Sequence, residues 1–175
     1  MLKAQPAHTP KVKVTDAYLK PLARAKVFMR TTYGLKSIET RVGVTNSAGE
    51  LTLPAVYNGG RYTFGASLLG YCPTATEVPP VGSASWIDLI EMVTEPATSV
   101  VKGKVVDKAG KPVTGARVTT DFGPFALTDE KGEFTLKQMP DRGVRLEAGK
   151  GGLHGTNLDA KGRLIQAHEP VIVVL

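Results

Sequence analysis

The chain has 175 residues, 42% of them hydrophobic and 22% charged, which excludes disordered and collagen-like classes, while 19 Gly and 12 Pro demand many turns. Its net charge of +6 is spread evenly, +3 on either side of Ala97 with acids interspersed among bases, and this argues against a protein that tracks nucleic-acid phosphates. No run reaches the ~18–20 apolar residues of a membrane span, and a single cysteine, Cys72, excludes an internal disulfide and a multi-thiolate metal site while leaving an intermolecular disulfide open.

The opening MLKAQPAHTP lacks the apolar core of a signal peptide, and residues 1–8 read as a disordered lead-in, so an exported parent protein would carry its signal elsewhere. From Val12 a strand runs into the turn at Asp16, re-emerges after Lys20-Pro21, and continues through Ala25 and Val27. An extended hairpin containing Tyr33-Gly34-Leu35 is expected between Met29 and Val44, followed by the turn TNSAGELTL over Thr45–Leu53. Tyr62 and Phe64 belong to the core, Gly70-Tyr71 ends a strand, and SWIDLIEM (Ser85–Met92) closes the first half. Small, polar and proline residues over 95–99 form a short linker.

The second half repeats this order. VKVTDAYLKPLARAKV (Val12–Val27) lies over GKVVDKAGKPVTGARV (Gly103–Val118) without slippage, pairing Asp16 with Asp107, Pro21 with Pro112, Ala25 with Ala116 and Val27 with Val118. TNSAGELTL matches TDEKGEFTL (Thr128–Leu136), and PVIVVL (Pro170–Leu175) supplies the second closing strand. Val101, Gly103 and Val105 alternate with Lys102 and Lys104, the period of a half-buried strand, and Ala116 and Val118 are expected to face inward. Asp107 can accept from amides beyond itself, Gly110 can take positive φ, and the Thr128–Phe134 segment reads as a hairpin with Gly132 at its special position. No segment carries helical periodicity over ten or more positions; the longest candidate, Ala84–Val93, is rich in β-branched residues. The fold class is therefore all-β, with two tandem sandwiches over residues 9–94 and 100–175.

The doubled pattern of strand, Asp-x-x-x-Lys-Pro, x-x-x-Ala-x-Val and Thr-Asp-x-x-Gly-x-Phe-x-Leu resembles the carboxypeptidase regulatory-like domain. That resemblance implies a transthyretin-like, seven-stranded Greek-key sandwich in each copy. Residues Val100–Leu175 carry it throughout. Residues Lys11–Met92 fit more loosely: Leu19 replaces the turn glycine, Arg24 replaces Gly115, and Val27 and Thr45 stand eighteen positions apart against ten for Val118 and Thr128. Such domains are similar to non-catalytic accessory modules of exported or surface-anchored bacterial proteins, whose partners are the other domains of the parent protein.

Enzymes of the same general shape require residues absent here: the chain ends Pro-Val-Ile-Val-Val-Leu where a hydrolase would carry Tyr-Arg-Gly-Ser, and the second copy has no Tyr to join His154 and His168 on iron. Asp129-Glu130 with Asp107 or Asp121 could suggest calcium, yet turn chemistry suffices, and no cofactor or metal is expected. A Lys–Asn isopeptide cross-link, as in surface adhesins of similar shape, finds no amide or acid in Val171–Leu175, and Asp88 facing Lys13 reads as solvated charge. The remaining candidates are aromatics near turns, Tyr33, Tyr57, Trp86, Phe122 and Phe125, which can stack on sugar rings or anchor a partner peptide. Trp86 opens an alternating strand and suits the core, whereas Phe122-Gly123-Pro124-Phe125 must either fold back on the sandwich or face a partner. Three readings stay open, of which the first is preferred: a non-catalytic spacer or domain-pairing module, a carbohydrate or protein binder using loop aromatics, and, most remotely, a transthyretin-like enzyme.

Overall fold

A computed structural model of the chain describes residues 7–33, 36–57, 60–78, 88–140, 144–157 and 171–175. Among them there is no helix, in line with the period-two patterning. The chain divides into two compact units, one comprising 1–68 and 73–95, the other 69–72 and 96–175.

In the first unit the strands are β1 (Ala7–His8), β2 (Lys11–Asp16), β3 (Lys26–Tyr33), β4 (Lys36–Val44), β5 (Glu50–Thr52), β6 (Val56–Tyr57), β7 (Arg61–Ser67), β8 (Thr74–Val78) and β9 (Leu89–Thr94). They form a three-stranded sheet in the order β5-β2-β9 and a four-stranded sheet in the order β4-β3-β7-β8, with β1 and β6 pairing separately. The lead-in expected over 1–8 is thus paired at its last two residues, Ala7 with Tyr57 and His8 with Val56. β2 and β9 run parallel from Lys11–Leu89 to Asp16–Thr94, and Val12, Val14, Ile90 and Met92 point into the interior with Val27 and Phe64.

The second unit contains β10 (Ser99–Val106), β11 (Arg117–Thr119), β12 (Phe125–Leu127), β13 (Glu133–Met139), β14 (Glu147–Lys150), β15 (Leu153–Thr156) and β16 (Val171–Val174). Its sheets, β13-β10-β16 and β12-β11-β14-β15, repeat the order and directions of the first unit. Val105, Phe134 and Val173 from one sheet and Val118 and Ala148 from the other, with Ala116 just before β11, meet in one apolar core, as two sheets hiding a face each require. Within the second unit Tyr71 bridges Pro96, Ala97 N donates to Gly70 O at 2.9 Å, and Ser99 already belongs to β10.

Two sequence differences between the copies have direct structural counterparts. The extra residues between Val27 and Thr45 lengthen one hairpin, so that β3 and β4 have 8 and 9 residues where β11 and β12 have 3 each. Val12 pairs with Leu51 where Gly103 pairs with Phe134, and a Cβ on Gly103 would lie 2.5 Å from the Phe134 ring, so the larger residue on one strand is matched by glycine on its neighbour.

One expectation is corrected. Thr128–Phe134 is not a hairpin: it leaves β12 in the four-stranded sheet and enters β13 in the three-stranded one. A two-residue hairpin turn would keep both strands in one ladder, whereas here a wider turn and a buried threonine redirect the chain between sheets.

Candidate functional site

Among the described residues, two of the carboxylates weighed for calcium, Asp107 and Asp129, belong to one turn built four times. Asp16, Asn46, Asp107 and Asp129 each open a five-residue turn, and in each the side-chain Oδ1 accepts from the amides two and four residues on. For Asp107 these donors are Ala109 N and Lys111 N at 2.8 and 2.9 Å; for Asp129 they are Lys131 N and Glu133 N at 2.9 and 2.8 Å. A short polar side chain that bonds its own backbone in this way closes a turn that neither sheet could satisfy. The fourth residue of every turn takes positive φ: Leu19 at 62°, Gly49 at 73°, Gly110 at 78° and Gly132 at 74°.

Beside these turns sits a buried threonine in each unit. Thr128 Oγ1 accepts from Ala116 N at 2.8 Å and donates to Val113 O at 2.6 Å; Thr45 Oγ1 accepts from Ala25 N at 3.0 Å and donates to Leu22 O at 2.6 Å. Both hydroxyls satisfy backbone groups where the chain changes sheets, so the recurrent Thr-Asp/Asn pair is structural. Asn157 does the same at the end of β15, accepting from Leu146 N and donating to Val144 O, each at 2.8 Å.

The aromatic candidates separate. Phe122 is buried at 5% exposure with its backbone at φ 53°, whereas Phe125 is 57% exposed at the start of β12. The guanidinium of Arg117, on the neighbouring β11, lies 4.4 Å from the Phe125 ring centroid, a cation–π contact on the outer face of the sheet. Leu127 and Leu153 are exposed on β12 and β15. Tyr33 ends β3 opposite Lys36, and Tyr57 ends β6 opposite Ala7, which places both in the first unit. Trp86 and His168 lie outside the described residues. Tyr62, Phe64 and Phe134 are buried as expected.

Other candidates resolve into surface or core. Asp88 Oδ1 lies 2.6 Å from His8 Nε2 rather than against Lys13. His154 is exposed in β15, opposite Gly149. Among the described residues no group of three or more His, Cys, Asp or Glu side chains is placed to hold a metal ion. Cys72 is 3% exposed, with Sγ 3.6 Å from Pro96 O. Missing from the sequence reading is the pair Tyr18 and Leu19, exposed at 89% and 73% at the tip of the Asp16 turn. The signal was there, since Leu19 stands where glycine belongs.

No protein-family model matches the chain, and no curated protein matches it. Among solved structures, the shaft pilin SpaA of Lactobacillus rhamnosus GG is similar at 10% identity over 97% of each chain, with a TM-score of 0.36. A streptococcal ancillary pilin is 12% identical over 97% of this chain and 61% of its own, with a TM-score of 0.36. A minor pilin of Streptococcus agalactiae is 8% identical over 95% of this chain and 94% of its own, with a TM-score of 0.32.

Proposed function

We propose that the chain is a non-catalytic pair of carboxypeptidase regulatory-like β-sandwich domains, serving as a structural spacer and interaction module of a larger, exported bacterial protein. The observation that carries this reading is the engagement of Asp16, Asn46, Asp107 and Asp129: each Oδ1 accepts from two backbone amides of its own turn. A carboxylate so held acts as a turn fastener, and its role is architectural. Export and surface location rest on the resemblance of the two repeats to domains of that kind.

A second reading, a carbohydrate or protein binder, is favoured by one observation, the exposed Phe125 ring with Arg117 over it. A glycan-array screen of the full chain beside Phe125→Ala and Tyr33→Ala separates the two. The spacer reading expects no glycan signal that depends on either side chain. A specific signal lost in either variant would replace it with the binder.

A further inference from the structure

The same turn occurs four times, and three of its copies show what it needs. Their second to fourth residues are Ser47-Ala48-Gly49, Lys108-Ala109-Gly110 and Glu130-Lys131-Gly132, each ending in a glycine at positive φ. The fourth copy reads Ala17-Tyr18-Leu19, with Leu19 held at φ 62° and both large side chains turned to solvent. Five residues on, Arg24 takes φ 63° where Gly115 takes 68° in the other unit, and it too is exposed. A Cβ at the matching Gly110 or Gly115 would meet no atom within 4 Å, and Leu19 and Arg24 are themselves exposed, so burial in the sandwich is not what these side chains serve. One loop therefore carries two strained residues and displays an aromatic, an aliphatic and a cation.

Tyr and Arg dominate binding hot spots because they join apolar area to a fixed polar end. Here the frame is rigid: Asp16 Oδ1 holds Tyr18 N at 2.9 Å and Lys20 N at 3.0 Å, and Leu22 N donates to Val14 O at 2.9 Å. Residues 17–27 contain Lys20, Arg24 and Lys26 and no acid. We infer that Tyr18 and Leu19, flanked by Lys20 and Arg24, form a knob that docks into an apolar pocket bordered by carboxylates on another protein.

A lipid surface reads no particular backbone conformation and would give no reason to hold Leu19 in a left-handed one. A second copy carries the same net charge of +6 and repels the loop's cations. An acidic protein pocket fits both the shape and the charge. The inference rests on the chain being an interaction module and names the surface it uses.

The probe is a phage-displayed library of disulfide-closed random peptides, panned against the full chain. Expected are clones with Asp or Glu beside Leu, Phe or Trp that bind Tyr18→Ala and Leu19→Gly about tenfold or more weakly than the parent, with Phe125→Ala unchanged. Leu19→Gly keeps the turn, because glycine fills this position in its three counterparts, so its loss of binding cannot be ascribed to unfolding. Failure to enrich clones, or clones insensitive to both loop variants, overturns the inference. So does sedimentation of the parent with phosphatidylserine vesicles, or self-association, that both variants abolish. A glycan signal dependent on Phe125 would sink the spacer reading while leaving the peptide result to stand or fall by itself.

Discussion

Leu19 and Gly110 hold the same backbone conformation, φ 62° and 78°, at the fourth position of the same turn in the two units. A leucine there has its Cβ close to the following carbonyl, a cost glycine does not bear. Leu19→Gly should therefore stabilise the first unit by about 1 kcal/mol, after the extra freedom of the unfolded glycine is deducted. Guanidinium denaturation checks this, and Gly110→Leu should lower the second unit's stability by a similar amount. Loss of stability in Leu19→Gly would mean that the side chain contributes packing that its exposure denies.

The four turns do not tolerate substitution equally. A Cβ on Gly110 meets nothing within 4 Å, whereas one on Gly132 would lie 2.6 Å from Val105 O and 3.2 Å from Pro112. Gly132 O also accepts from Val105 N at 2.8 Å, so the turn cannot back away without losing that bond. Gly132→Ala should cost about 3 kcal/mol or more, against about 1 kcal/mol for Gly110→Ala. Gly49→Ala should match Gly132→Ala, since its Cβ would sit 2.6 Å from Val14 O. Equal melting temperatures for the Gly110 and Gly132 variants would contradict the geometry.

Removing the Thr128 hydroxyl strands the buried amide of Ala116 and the part-buried carbonyl of Val113. Thr128→Val should destabilise by about 2–4 kcal/mol and speed amide exchange at Ala116, while Thr128→Ser should retain most of the parent's stability. Thr45→Val should do the same at Ala25. Hydrogen-exchange mass spectrometry on both variants reads the effect locally.

These features also mark how far the sequence could be read. The Asp turns, the inward Ala116 and Val118, and the Gly103–Val105 alternation were legible, because local backbone chemistry and period-two burial leave direct residue signatures. The arch at Thr128–Phe134 was not, because a turn motif does not say whether the strand it feeds returns to the same ladder. Phe122 and Phe125 looked alike in a Phe-Gly-Pro-Phe run, yet positive φ at Phe122 turns one ring inward and leaves the other out. Tyr18 left its signal only through its neighbour: Leu19 stands where glycine belongs, but an apolar residue next to a strand resembles core until the turn that carries it is placed.

Burial of Cys72 settles its chemistry by access. With Cys72 buried, 3% exposed as a residue, oxidation to an intermolecular disulfide requires local opening. Non-reducing electrophoresis of native protein should show monomer, and thiol reagents should label rapidly only in denaturant. A covalent dimer formed under native conditions would contradict this placement.

The parallel pairing of β10 with β16, and of β2 with β9, has a mechanical consequence. In each unit the first sandwich strand and the last run side by side in the same direction, so the backbone arrives at one end of that ladder and departs from the other. Tension applied along the polypeptide loads the interstrand bonds in shear, all at once, instead of peeling them one by one. Each unit is thereby suited to resist stretching.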